Sequence, residues 1–313
     1  MKYEYPGIII LGPTAAGKSK LGIDLALRFR GEIVSCDALQ VYRHMDIGTA
    51  KVSPAEKARV RHHMLDLGDP GEDFSAGDYQ RLAREALNEI RSRGNRPFVV
   101  GGTGFYLKAL IEGLFEGPAR SEELRARMRK IIGRRGPGTL HRALRRVDPE
   151  SANRIAEADS ERIIRAYEVP LISGKSISWW QEQPRDALMG YRWLKLGIDV
   201  PRELLYQRIN RRVEEMFENG LVEEARALLN GYPKYSQAFK AIGYRQVSDY
   251  FDGKLSLSQT MEAIQMESRR YAKRQLTWFR SDPDILWLDG RLEFDQIRSQ
   301  AEIHITSFLD NSH

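Results

Sequence analysis

Apolar positions recur along this chain in two rhythms. Residues 8–11 form an unbroken apolar run that opens into a glycine-rich turn, the mark of a short buried strand. Residues 32–36 and 98–100 repeat that signal. Between them Tyr79, Leu82, Ala83, Ala86, Leu87 and Ile90 recur at helical spacing, with Ser75 and Asp78 set to cap the helix start. Residues 19–29 predict another helix, directly after the first strand. Apolar strands alternating with amphipathic helices predict an α/β fold: a parallel sheet covered on both faces.

The pattern changes after Gly117-Pro118. From 122 to about 165 the chain is Arg-rich and helix-favouring, with no strand signal. Strand character returns at 194–200. Helical stretches follow at 201–229 and 258–279, and 285–288 predicts a last strand. The reading is a discontinuous α/β core over 1–118 and 188–313, interrupted by a helical insertion over 119–187. No repeat or low-complexity segment interrupts it.

Composition narrows the class. At 313 residues, 42% hydrophobic and 29% charged, the chain is an ordinary globular sequence rather than a disordered one. No apolar run approaches the roughly 18–20 residues of a membrane span, and the four-residue run at 8–11 is too short for a signal peptide. One cysteine, Cys36, excludes an intrachain disulfide and a multi-cysteine zinc site, which leads us to expect a cytoplasmic protein. His62-His63 has no spaced carboxylates or cysteines to make a metal site. Trp179, Trp180 and Trp193 are expected in cores. The net charge of +6 is uneven: residues 120–146 hold ten Arg/Lys against two Glu, a local +8 that leaves −2 elsewhere. That asymmetry suits a polyanionic partner, or a solvated helical face.

Chemistry enters at the first turn. Gly12, Pro13, Thr14, Ala15, Ala16, Gly17, Lys18 and Ser19 match the phosphate-loop pattern, between a strand and a helix as that pattern requires. Its backbone N–H groups and the helix N-terminus surround phosphate oxygens, Lys18 neutralises their charge, and the Ser19 hydroxyl ligates Mg²⁺. Asp37 ends the second strand, at the edge where open α/β sheets hold ligands. It reads equally as a magnesium ligand, a general base or a turn cap. Gly101-Gly102-Thr103-Gly104 follows the third strand at the same edge, with three glycines for close backbone approach and a Thr hydroxyl.

The run from Arg269 to Arg280 holds five cations, three aromatics and no acid. Leu257, Met261, Ile264, Ala272 and Phe279 fall on one helical stripe, while Arg269, Arg270, Lys273, Arg274 and Arg280 lie broadly opposite. That face fits a nucleic-acid backbone or plain solvent.

Six ordered blocks resemble one family, the tRNA dimethylallyltransferases of bacterial type, also called the IPP transferases: GPTAAGKS at 12–19, SCDALQVYRHMDIGTAK at 35–51, GGTGFY at 101–106, ERIIRAYE at 161–168, KAIGYR at 240–245 and AKRQLTWFR at 272–280. The chain departs from the family pattern at Ala38 and Tyr167, neither of which carries the chemistry. The resemblance implies transfer of a dimethylallyl group from dimethylallyl diphosphate to the N6 amine of the adenine 3′-adjacent to the anticodon, in tRNAs reading codons that begin with U. It implies Asp37 and Thr103 as catalytic residues, the loop Gly12–Ser19 with Mg²⁺ on Ser19 as the diphosphate site, and Arg208 and Arg212 as further diphosphate contacts. The tRNA anticodon stem-loop is implied to touch Asp37, Ala38, Leu39 and Gln40, Thr103, Arg125, and Glu161, Arg162, Ile163, Ile164 and Arg165. It is also implied to touch Lys240, Ala241, Ile242, Gly243, Tyr244 and Arg245, and Lys273, Arg274, Gln275, Leu276, Thr277, Trp278, Phe279 and Arg280. A monomer without membrane attachment is expected. A small-molecule kinase explains the loop and Asp37 but neither basic segment, and a non-catalytic RNA-binding module remains the other alternative.

Overall fold

A computed structural model describes residues 4–311. Its six strands are β1 (Tyr5–Leu11), β2 (Gly31–Cys36), β3 (His62–His63), β4 (Arg96–Gly101), β5 (Tyr191–Asp199) and β6 (Ile285–Asp289). They make one sheet in the order β3-β2-β4-β1-β5-β6, with every pairing parallel. Strand β1 lies between β4 and β5, Ile8 opposite both Phe98 and Leu194, and is buried from Pro6 to Leu11. This explains why its sequence is apolar throughout rather than alternating.

The helices are α1 (Lys18–Arg28), α2 (Pro54–Arg59), α3 (Ala76–Ser92), α4 (Gly104–Ile111), α5 (Glu122–Arg135), α6 (Gly138–Val147), α7 (Pro149–Arg154), α8 (Ser160–Ser173) and α9 (Ile177–Gln181). They continue as α10 (Arg202–Glu218), α11 (Leu221–Gly231), α12 (Tyr244–Phe251), α13 (Leu257–Phe279) and α14 (Phe294–Asp310). Successive strand residues face opposite ways, so two cores form. Ile8, Ile10, Phe98 and Val100 pack with Leu21 and Leu25 of α1 and with Ala301 and Ile305 of α14. Ile9, Leu11, Val34 and Val99 pack with Tyr79, Ala83, Leu87 and Ile90 of α3 and with Leu107 and Leu110 of α4. The expected α/β sheet with two covered faces is what the chain builds. Ser75 and Asp78 cap α3 reciprocally.

Several elements differ from the sequence reading. The helical stretch 201–229 is two helices, broken at Gly220, whose φ of +95° suits glycine. Within α13, Ile264, Ala272 and Phe279 are buried, but Leu257 is 46% exposed because it starts the helix beyond the core. The short β3 and the helices α2, α4, α9, α12 and α14 are absent from the sequence reading. His63 of β3 bonds Glu32 at 2.7 Å, and Arg93 and Asn95 bond the same carboxylate. Burial works against ionisation there, yet these three partners hold the Glu32 carboxyl at about 2. The histidine pair thus serves the sheet's structure. Of the tryptophans, Trp180 and Trp193 are half-buried, whereas Trp179 is 39% exposed beneath Lys175.

The chain divides into two compact units, one comprising 1–111 with 188–313 and the other Glu112–Ala187. The division falls at 112, seven residues before the 119 read from the sequence. Leu188 N–H bonds the Ile111 carbonyl at 2.9 Å, closing the first unit, while Glu112 pairs with Arg185 at 2.8 Å within the second. The second unit is entirely helical, α5 to α9, with cores around Leu144, Ala166 and Val169 and around Met128, Leu140 and Ile164.

Candidate active site

Three loops converge at the carboxyl ends of β1, β2 and β4, as a doubly wound sheet dictates. In the loop after β1, Gly17 takes φ +93° at the cap of α1, a conformation only glycine adopts cheaply. Ala15 is held at φ +63°, a strained geometry of the kind that functional loops retain. Lys18 is half-buried, with its ammonium donating to the Pro13 carbonyl at 2.6 Å. Burial, then the charge of Arg212, push its pKa down to about 7, with Asp37 partly opposing. Arg212, on α10, donates to the Thr14 hydroxyl at 3.1 Å and to the Thr49 carbonyl at 3.4 Å. Burial holds it below its ordinary value too, with Asp37 offsetting part of the shift. Two largely desolvated cations thus share one nearby carboxylate, an electropositive setting suited to an anion.

Asp37 does two things at once. Its Oδ1 accepts the N–H groups of Leu39 at 2.9 Å and Gln40 at 3.3 Å, so it caps the turn. Its Oδ2 has no hydrogen-bond partner among the described residues, and the side chain lines two cavities. Thr103 accepts the Ala38 N–H on its hydroxyl oxygen at 3.2 Å, while its own N–H donates to the Cys36 carbonyl at 3.1 Å. These bonds tie the β4 turn to the end of β2.

The two cavities meet here. The inner one, about 80 Å³, is polar and walled by Lys18, Ser19, Asp37, Gln40, Gly101, Gly102 and Gln275 among others. The outer one, about 330 Å³, is mainly apolar, with Leu39, Ile209, Val213, Met216, Ile242 and Ile264, and it includes Thr103, Lys240 and Arg274. Thr14, Asp37, Thr49, Arg212 and Tyr271 line both. Burial, followed by the Asp37 charge, pushes the Tyr271 hydroxyl up to about 12, with Thr103 partly opposing, so it stays protonated.

Not all the expected residues gather here. Arg208, one turn before Arg212, lines a separate cavity of about 260 Å³ behind Ala15, Ala16 and Gly17. Lys240, Ala241, Ile242 and Gly243 border the outer cavity, but Tyr244 is buried and Arg245 is exposed. On α13, Arg274 reaches the outer cavity and Gln275 the inner one. Lys273, Leu276, Thr277 and Arg280 line another cavity, of about 650 Å³, at the ends of β5 and β6. Trp278 is exposed, and Phe279 belongs to the core.

In the helical unit Arg125 is buried and holds the wholly buried Glu168 through two bonds of 3.0 and 3.1 Å, so its guanidinium is engaged inside the fold. Ile163 and Ile164 also face the core. Glu161 pairs with Arg129, Arg162 with Asp159, and Arg165 with Glu168. By contrast Lys130, Arg134, Arg135, Arg142, Arg145 and Arg146 are exposed and make no ion pair among the described residues.

The sequence reading missed Thr49 and Glu224, and gave Gln275 only as an implied tRNA contact. Thr49 offers its carbonyl to both Arg212 and Gln40. Glu224 of α11 accepts the N–H groups of Asp46, Ile47 and Gly48 at 2.9, 2.8 and 3.0 Å, and the Tyr244 hydroxyl at 2.6 Å, holding the loop that carries Thr49. Gln275 bridges two loops. Nothing local marks Glu224, since its loop partners lie more than 170 residues away.

The chain matches the IPP transferase family model over residues 40–282. It is 51% identical to the tRNA dimethylallyltransferase of Koribacter versatilis, over 90% of this chain and 92% of that one, and 46% identical to that of Solibacter usitatus, over 97% and 99%. Among solved structures it resembles the tRNA isopentenylpyrophosphate transferase of Bacillus halodurans, with a TM-score of 0.74, 38% identity and coverage of 99% and 98%. It also resembles a eukaryotic dimethylallyltransferase acting on tRNA, with a TM-score of 0.80, 28% identity and coverage of 98% and 80%.

Proposed function

The chain belongs to the IPP transferase family, and from that premise and the paired cavities we infer that it is a tRNA-modifying prenyltransferase. It transfers the dimethylallyl group of dimethylallyl diphosphate to the N6 amine of the adenine 3′-adjacent to the anticodon, in tRNAs reading codons that begin with U, and releases diphosphate. The observation that carries this reading is the seam between the cavities. A polar chamber walled by Lys18 and Arg212 adjoins an apolar chamber, and Asp37 lines both.

In this reading the diphosphate occupies the inner chamber, against the loop from Gly12 to Ser19, Lys18 and Arg212. The allylic carbon lies at the seam, with its methyl groups and the adenine in the outer chamber. The allylic C–O bond breaks and its electron pair leaves with the diphosphate, where Lys18 and Arg212 stabilise the developing charge. The amine nitrogen forms the new N–C bond, and its proton passes to the unoccupied Oδ2 of Asp37. Thr103, fixed by the Ala38 N–H, orients the amine beside that carboxylate.

Mg²⁺ fits the donor set. The Ser19 hydroxyl is a hard oxygen donor on the inner chamber, and this metal commonly binds through one or two protein oxygens plus phosphates. When bound it adds positive charge to the leaving group. The target adenine leaves its stack at a cost on the order of a few kcal/mol. Contacts from Asp37 to Gln40, Lys240 to Arg245 and the exposed cations of α13 offset that cost, with Arg134, Arg135, Arg142, Arg145 and Arg146 as the polyanion-facing side of the helical unit. In this reading the enzyme works in the cytoplasm, where its tRNA substrate is, and as a monomer.

The test is incubation with labelled dimethylallyl diphosphate, Mg²⁺ and unmodified tRNA, followed by nucleoside analysis. Alkylated adenosine and free diphosphate are expected. Stoichiometric ATP consumption with the tRNA left unmodified overturns the reading.

A further inference from the structure

We propose that Gln275 is a positioning residue that locks the phosphate loop to the Gly101–Gly104 turn and makes diphosphate affinity respond to RNA held on the outer face of α13. The inference rests on the prenyltransferase reading above and deepens it.

The geometry is specific. Gln275 is 6% exposed. Its Oε1 accepts the Thr14 N–H at 2.8 Å, and its Nε2 donates to the Gly102 carbonyl at 2.8 Å. Thr14 carries the first N–H of the loop after Pro13, which has none. The bridge needs one acceptor and one donor on a single planar group without charge, and a carboxamide supplies both. A carboxylate there keeps the bond from Thr14 but has nothing to give Gly102, and it places an anion on the wall of an anion chamber. The partner position is shaped to match: a Cβ on Gly102 lies 2.2 Å from Gln275 Nε2, so only glycine admits the bridge.

The same helix also reaches the surface. Lys273 and Arg274, the two residues before Gln275, are exposed cations, and Arg274 also borders the outer chamber. One turn earlier Tyr271 lines both chambers. A single helix therefore presents charge outward and holds both glycine-bearing loops inward. RNA phosphates that settle α13 settle Thr14 and Gly102 with it, and the coupling is reciprocal by linkage.

Inorganic diphosphate with Mg²⁺ is the probe, titrated with and without an anticodon stem-loop whose target adenine is replaced by a purine lacking the amine. In the wild type the RNA tightens diphosphate binding by about tenfold, the size of one or two neutral hydrogen bonds. Gln275→Met keeps the volume and removes both bonds. It weakens diphosphate binding by about tenfold, brings the RNA effect to within about twofold of none, and leaves RNA affinity unchanged. In steady state its KM for the prenyl diphosphate rises while kcat holds. Gln275→Glu weakens diphosphate binding further, by an amount that shrinks as salt rises. That variant decides the matter if Gln275→Met lacks a cooperative melt. An RNA effect of wild-type size in either folded variant overturns the proposal, as does a wild type that binds both probes independently. A wild type that binds neither probe removes the prenyltransferase reading itself, a distinct result.

Discussion

When diphosphate fills the inner chamber, Lys18 takes up a proton from solution. In the ligand-free chain burial, followed by the Arg212 charge, brings this lysine from 10.5 down to about 7. An adjacent polyanion supplies the counter-charge it lacks and returns it toward its ordinary range. At pH 8 about nine-tenths of Lys18 is neutral before binding, so roughly 0.9 proton is taken up, against roughly 0.1 at pH 6. Lys18 accordingly makes diphosphate affinity fall by about tenfold per pH unit above 7. Calorimetry at pH 8 in two buffers of different ionisation enthalpy reads the proton count directly. Subtracting the same measurement on Lys18→Met removes the titration of the diphosphate itself. Equal proton uptake in the two proteins refutes the argument. Stability gives an independent check with a definite sign. The folded pKa lies below the unfolded one, so between pH 7 and 10.5 the unfolded chain binds more protons and the ligand-free protein gains stability as pH rises. Lys18→Met lacks that gain.

Three further outcomes follow from the site and the helical unit. Asp37→Ala and Thr103→Ala each slow alkylation, by about a hundredfold or more for Asp37, while tRNA affinity stays near wild type; single-turnover kinetics with unchanged rates would sink the assigned roles. Replacing Lys273 and Arg274 with Ala weakens tRNA binding and shallows the log–log salt dependence by about 0.7–0.9 for each phosphate no longer neutralised; an unaltered slope returns that face to solvent. Arg125→Ala leaves the wholly buried Glu168 without its main partner and costs about 3–5 kcal/mol in urea unfolding. Arg134→Ala with Arg135→Ala stays within about 0.5 kcal/mol per residue yet weakens tRNA binding, and the opposite pattern would show that the buried arginine is the RNA contact.

What could be read from the residues alone was whatever is local. The central strands announced themselves because burial on both faces removes polar residues from the run, and α3 through its period and reciprocal cap. The phosphate loop was legible because its chemistry needs glycines, a lysine and a hydroxyl at fixed spacing. Long-range pairing left no such trace. Nothing near Glu224 in the sequence indicates that it gathers the amides of residues 46–48. Gln275 sits inside a basic run, which draws it toward an RNA role, although its amide points inward to Thr14. Arg125 misleads the same way, since an arginine in a basic segment looks exposed until its buried carboxylate is seen. The short β3 has only two residues, too few for any periodicity.

The placement of β5 beside β1 has a consequence for biogenesis. When a ribosome has made the first 111 residues, β1 is hydrogen-bonded on its β4 side only. Its other partner, β5, begins at Tyr191. The nascent chain thus carries a bare apolar edge while about eighty further residues are translated, on the order of 4–16 s at bacterial and eukaryotic elongation speeds. Such an edge templates pairing with other chains. Ribosome-bound fragments ending before β5 should accordingly recruit chaperones, and those that extend past Asp199 should release them.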